Sequence, residues 1–100
     1  MVPQPVFHDQ TRRLKAILAK SEIKFKHRPH AINAAADDGL SRFDVEEGLK
    51  RGATVEAVEM SGGEETWNAR FRDHNSRTCI AVLVVNEGWL TIKVITVFVR

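Results

Sequence analysis

One hundred residues of 11.3 kDa, 43% hydrophobic and 28% charged, make one globular domain with a single modest core. The net charge of +2 is unevenly laid out: seven Lys/Arg against two Asp/Glu over residues 1–30, three against nine over 31–69, and five against two over 70–100. No apolar run approaches the roughly 20 residues that span a bilayer, Met1-Val2-Pro3-Gln4-Pro5 lacks the pattern of a secretory signal, and one cysteine excludes an internal disulfide, so the expected setting is a reducing cytoplasm.

Residues 1–8, with two prolines and no period, read as a flexible lead to a single domain over 9–100. Asp9 is placed to cap a helix running to Lys20. Leu14, Ile17 and Leu18 form its narrow apolar stripe, and Arg12, Arg13, Lys15 and Lys20 face water. Such a helix leans on the main body or on a partner. Ile23, Phe25 and His27 then alternate with Lys24, Lys26 and Arg28, the period of a half-buried strand, and the lysines suit an edge. Pro29 ends it. Residues 30–38 are alanine-rich and read as a short helix closed by Gly39 in a left-handed cap.

Ser41 with Asp44 three residues later is a capping-box pattern, and Leu40 with Val45 is placed as the hydrophobic staple across it. The helix so started carries Phe43, Val45 and Leu49 on its apolar side and stops at Gly52. After Gly52 the period becomes two. Strands are expected over 54–60, 66–74, 78–85 and 89–99, with turns at Ser61-Gly62-Gly63, Asn75-Ser76 and Asn86-Glu87-Gly88. The third of these strands is apolar on both faces, the mark of a central, covered strand. The expected fold is therefore α+β: a four-stranded antiparallel meander plus one N-terminal edge strand, two short helices on one face, and an extra N-terminal helix.

Two clusters carry chemistry. Alternation along 66–74 sends Arg70, Arg72 and His74 out from one face, about 7 Å from neighbour to neighbour, which matches the repeat of phosphates along a nucleic acid. Arginine clamps phosphate oxygens, and histidine moves protons near neutral pH. A metal-free ribonuclease needs this set: a base for the ribose 2′-hydroxyl, an acid for the leaving 5′-oxygen and a fixed cation between them. The plainer reading is a solvated sheet face. The second cluster is Lys24, Lys26 and Arg28 with His30 at a helix start, where the helix field lowers the pKa of a histidine and suits a base. Its plainer reading is an edge strand kept soluble by lysines. The histidines and Cys79 show no metal-ligand spacing, Cys79 reads as a small buried hydrophobe, and no Gly-rich phosphate loop opens a helix, so neither a metal nor another cofactor is expected. Asp37-Asp38, Glu46-Glu47 and Glu64-Glu65 read as solvating pairs.

From about residue 23 to 99 the chain resembles a bacterial family of small domains that groups with the BrnT-type and RelE-type ribonuclease toxins of toxin–antitoxin pairs. The matching pieces are His30-Ala31, Gly39-Leu40-Ser41, Asp44-Val45-Glu46, Gly48-Leu49, Gly52 and Val94-Ile95-Thr96-Val97, in that order. The resemblance implies a RelE/barnase-like fold with an RNA-cleaving or RNA-binding surface on the open face of the sheet. It places His30 in that surface and Thr96 along it. Ala34 and Asp38 stand where the family often carries arginines.

The resulting expectation is a toxin-like, metal-independent ribonuclease. His30 or His74 is base or acid, Arg70 and Arg72 clamp phosphate, and Lys24, Lys26, Arg28 and Thr96 hold RNA. An acidic antitoxin protein would mask this face. The alternative is a non-catalytic nucleic-acid- or protein-binding module of the same fold. A third reading is a dimerising regulator that uses helix 9–20 as its contact.

Overall fold

The computed structural model describes residues 7–100. The expected lead lies outside the described residues as far as residue 6. Three helices, α1 (His8–Leu18), α2 (Pro29–Asp37) and α3 (Arg42–Arg51), accompany five strands, β1 (Lys24–His27), β2 (Thr54–Ser61), β3 (Glu64–Arg72), β4 (Thr78–Asn86) and β5 (Thr91–Val99). The sheet order is β1-β5-β4-β3-β2. β2 to β5 form the antiparallel meander, and β1 joins its β5 edge in parallel, Lys24 opposite Thr91 and Lys26 opposite Lys93. The α+β architecture expected from the sequence is the one observed.

The hinge between α2 and α3 is built from local interactions. Gly39 has φ +77°, which a side chain disfavours. From there the Leu40 N–H donates to Ala35 and the Gly39 N–H to Ala36, the paired bonds of a Schellman ending. Ser41 then accepts from the Asp44 N–H at 3.1 Å while Asp44 accepts from the Ser41 N–H at 2.9 Å. Leu40 and Val45 are buried on either side of this cap, as a staple requires. The β2–β3 turn is also local: Gly62 and Gly63 both have positive φ, the two-residue hairpin loop that matches strand twist.

All three helices lie on one face of the sheet. Leu14, Ile17 and Leu18 of α1, Ala31 and Ala35 of α2, and Val45 and Leu49 of α3 close over Val55, Trp67, Ala69, Phe71, Ala81, Leu83, Ile92, Val94 and Val97. Burying each large aliphatic side chain contributes about 1.5–3 kcal/mol. The α1 stripe is used inside the chain, against β2 and α3, which leaves only its charged side for a second copy. Thr11 of α1 also accepts the Val55 N–H on edge strand β2 at 2.9 Å.

Four local expectations are corrected. Asp9 does not cap α1; the capping position is Phe7, and Asp9 lies in the first turn, paired with Arg12 at 2.7 Å. β3 ends at Arg72 rather than at residue 74, because Asp73 folds the chain into a turn. β5 begins at Thr91, so Trp89 and Leu90 belong to the β4–β5 loop. β4 is central, but helices cover only one of its faces; on the other, Ile80 is shielded at sheet level beside its β5 partner Phe98.

Candidate nucleic-acid interface

Strand alternation and pairing register decide what stands on the open face. Phe25 and His27 of β1 point to the helices, so Lys24 and Lys26 point away from them. Lys93 is opposite Lys26 and joins the same face. Arg28, one residue past β1, approaches Glu64 at 3.7 Å, and Glu64 also accepts from Lys93 at 3.4 Å. Four cations therefore gather around one carboxylate at the β1–β5 side of the sheet.

A second basic group stands toward the β3–β2 side. Trp67, Ala69 and Phe71 are buried under the helices, which sends Arg70 and Arg72 to the open face. Arg100, fixed by its N–H to Thr78 at 2.8 Å, ends beside them. A bulge in β2 between Val55 and Ala57 brings Glu56 between Arg100, which it hydrogen-bonds, and Arg70 at 3.9 Å. A concavity of ≈ 680 Å³ opens here at the end of the sheet, lined by Arg70, Arg72, Arg100, Thr54 and Thr78 and, from the helix side, by Gly48 and Arg51 of α3. Thr96, opposite Val82 on β5, lies between the two groups and is half-buried.

The structure thus brings Lys24, Lys26, Arg28, Thr96, Arg70 and Arg72 to one uncovered face. It does not bring the histidines there. His74 sits in the turn after β3, its Nδ1 4.0 Å from Asp44 Oδ1 at the start of α3, on the helix side. His30 is exposed in the first turn of α2, beyond β1, while Arg70 lies three strands away in the sheet order, about 14 Å across it. The grouping of Arg70, Arg72 and His74 on one face is corrected for His74, because the strand stops two residues short of it.

Several residues that matter were not singled out. Arg77 donates to Asp73 at 2.7 Å and to the Asp38 carbonyl at 2.9 Å, tying the β3–β4 turn to the end of α2. Burial pushes the Asp73 carboxyl up, but bonds from Arg77 backbone and side chain and from the Asn75 N–H outweigh it, and the net shift is downward. Asp38 accepts the Val99 N–H at 3.0 Å, a structural use for this carboxylate. The acidic pairs are not mere solvation either: Glu46 bonds His27, Glu65 accepts from Trp67 at 2.9 Å, and Glu64 sits in the basic group. Cys79 is buried as expected, and desolvation pushes its thiol pKa up, away from nucleophilic use. Among the described residues, no helix is long and apolar enough to cross a membrane.

No protein-family model matches the chain, and no curated protein or solved structure matches it.

Proposed function

We propose that this chain is an RNA-binding module that lays a phosphate backbone across the open face of its sheet. The observation that carries the reading is the placement of Lys24, Lys26, Arg28 and Lys93 at one side and Arg70, Arg72 and Arg100 at the other, on a face without helix cover. The two groups stand about four to five residues apart along the strands, roughly 15 Å, room for a few nucleotides of extended strand. Fixed guanidiniums suit the phosphate oxygens, and the half-buried Val82 and Thr96 with the exposed Phe98 between them give the sugars and bases a largely apolar floor. The same face suits an acidic antitoxin-like protein as a competitor for RNA, in keeping with the resemblance to toxin domains. The setting proposed is the cytoplasm, in which one buried free cysteine stays reduced.

The test is binding of a labelled single-stranded RNA as salt is varied. Affinity should fall linearly with salt on logarithmic axes, by about 0.7 per phosphate contact. Arg70→Glu with Arg72→Glu should weaken binding and flatten that slope by one to two contacts. Absence of binding at low salt, or binding indifferent to both substitutions, rejects the reading.

A second reading, metal-independent cleavage, rests on Glu56. Its carboxylate pairs with Arg70 and Arg100, two of the residues that line the ≈ 680 Å³ concavity. Glu56 takes the proton of the ribose 2′-hydroxyl as that oxygen attacks phosphorus. The bond to the 5′-oxygen breaks, Arg70 and Arg72 steady the crowded phosphate, and water protonates the leaving oxygen. In this form the base is a carboxylate in place of His30 or His74. Cleavage in chelator that falls about a hundredfold or more in Glu56→Gln supports it; intact RNA under conditions that saturate binding leaves the module alone.

A further inference from the structure

We infer that Trp89 is a base-stacking platform for single-stranded RNA, at the mouth of the basic groove on the β1–β5 side; the inference rests on the RNA-binding reading and names where a base, rather than a phosphate, is held. Trp89 is 80% exposed, whereas the other tryptophan, Trp67, is 4% exposed. An indole left in water forgoes one of the largest burial gains a side chain offers. It is not on a loose loop. The Trp89 N–H donates to Asn86 Oδ1 at 3.0 Å, the Thr91 hydroxyl donates to the Trp89 carbonyl at 3.1 Å, and the next residue, Leu90, accepts the Lys24 N–H at 2.8 Å. Leu90 holds this position with φ +50°, an unfavourable region for a branched side chain, while its side chain packs against the core.

The surroundings choose the ligand. Trp89 lines a groove of ≈ 390 Å³ with Lys24, Lys26, Lys93, Thr91 and Glu64. Lys26 and Lys93 are direct cross-strand partners, an arrangement of like charges that destabilises the bare sheet and that a phosphate between them relieves. The loop's own carboxylate, Glu87, is turned away to Arg13 on the helix side. A flat π-face beside paired ammonium groups is the arrangement that takes one base of a single strand and its flanking phosphates. A paired duplex offers no free base face to stack.

The experiment uses the full chain with an eight-residue oligouridylate and, as a phosphate-only comparator, inorganic polyphosphate. Trp67 is enclosed, so emission that responds to ligand and to acrylamide reports on Trp89. RNA should quench that emission and protect it from acrylamide. Trp89→Ala should lose the response and weaken RNA binding about tenfold, the effect of losing one stacked base, with polyphosphate affinity unchanged. Trp89→Phe should recover part of the RNA affinity. Lys26→Glu with Lys93→Glu should weaken both ligands. RNA that binds without altering Trp89 emission, or with equal affinity for Trp89→Ala, overturns the platform and leaves the charged face standing. Failure of both RNA and polyphosphate to bind at low salt overturns both.

Discussion

His27 and Glu46 meet at 3.0 Å in the layer between sheet and helices, the imidazole side chain 3% exposed and the carboxylate on α3 30% exposed. His27 comes from an edge strand and Glu46 from the second helix of the hairpin, so one contact fixes how α3 sits relative to β1. Its loss strands a buried ring nitrogen. Glu46→Ala should cost about 1–3 kcal/mol in denaturant unfolding, with Glu46→Gln, which keeps a partner, much closer to the parent. Equal stability for the parent and Glu46→Ala would show that the nitrogen finds water instead.

Gly48 is where α3 touches β3. A β-carbon there would press into the Phe71 ring, 2.7 Å from Cε2 and closer still to Cδ2, and stand 3.2 Å from the Arg72 carbonyl. Gly48→Ala should therefore destabilise by about 1–3 kcal/mol despite its better helix propensity. Adding Phe71→Leu should return part of that loss, a coupling visible in a double-mutant cycle. Additive losses would mean that the two sites do not meet.

Acid should unfold the protein through two carboxylates. Asp44 is held below its usual range chiefly by the Ser41 N–H and hydroxyl, and Asp73 is lowered by Arg77 and Asn75 once these outweigh burial. A depressed native pKa means that the stabilisation is complete above the unfolded-state value near 4 and disappears as pH falls through the native one. Melting temperature should hold from neutrality to about pH 5 and then fall. Asp73→Asn should flatten the acid limb while lowering the plateau. An unchanged acid limb in both Asp73→Asn and Asp44→Asn would refute the assignment.

Glu64 opposes the proposed ligand. It spends its charge on Lys93 and Arg28, both exposed enough that each pair is worth at most about 1 kcal/mol. Glu64→Gln should tighten RNA binding by up to about fivefold and steepen the salt dependence, with little change in stability. Weaker binding in Glu64→Gln would mean that the carboxylate positions the cations instead of competing for them.

What was legible in the sequence follows the range of the interactions. Gly39, Leu40, Ser41, Asp44 and Val45 act on one another within six residues, so the helical hairpin could be read directly. The alternation of β3 could be read for the same reason, up to Arg72. Beyond it the period-two pattern continues through His74 by composition alone, while the chain turns because Asp73 accepts N–H groups from Asn75 and Arg77. Trp89 looked like strand because β-formers follow it without a break; what excludes it is the Asn86 side chain taking its N–H. The acidic pairs read as solvation because the partners of Glu46 and Asp38, His27 and Val99, are brought to them by packing and pairing that no local spacing encodes; Glu65 meets Trp67 at the two-residue spacing of one strand face. The parallel pairing of β1 with β5, on which the first basic group depends, joins residues more than sixty apart.

That pairing also sets an order of assembly. β5 lies between β1 and β4, and among the described residues β1 has no other neighbour. A nascent chain must be made through Val94 before its first strand is fully paired, and until β5 is in place β4 offers an apolar edge to any passing strand. Closure of the sheet must wait for synthesis, and a helper that shields that edge during the wait would raise yield without touching the finished molecule.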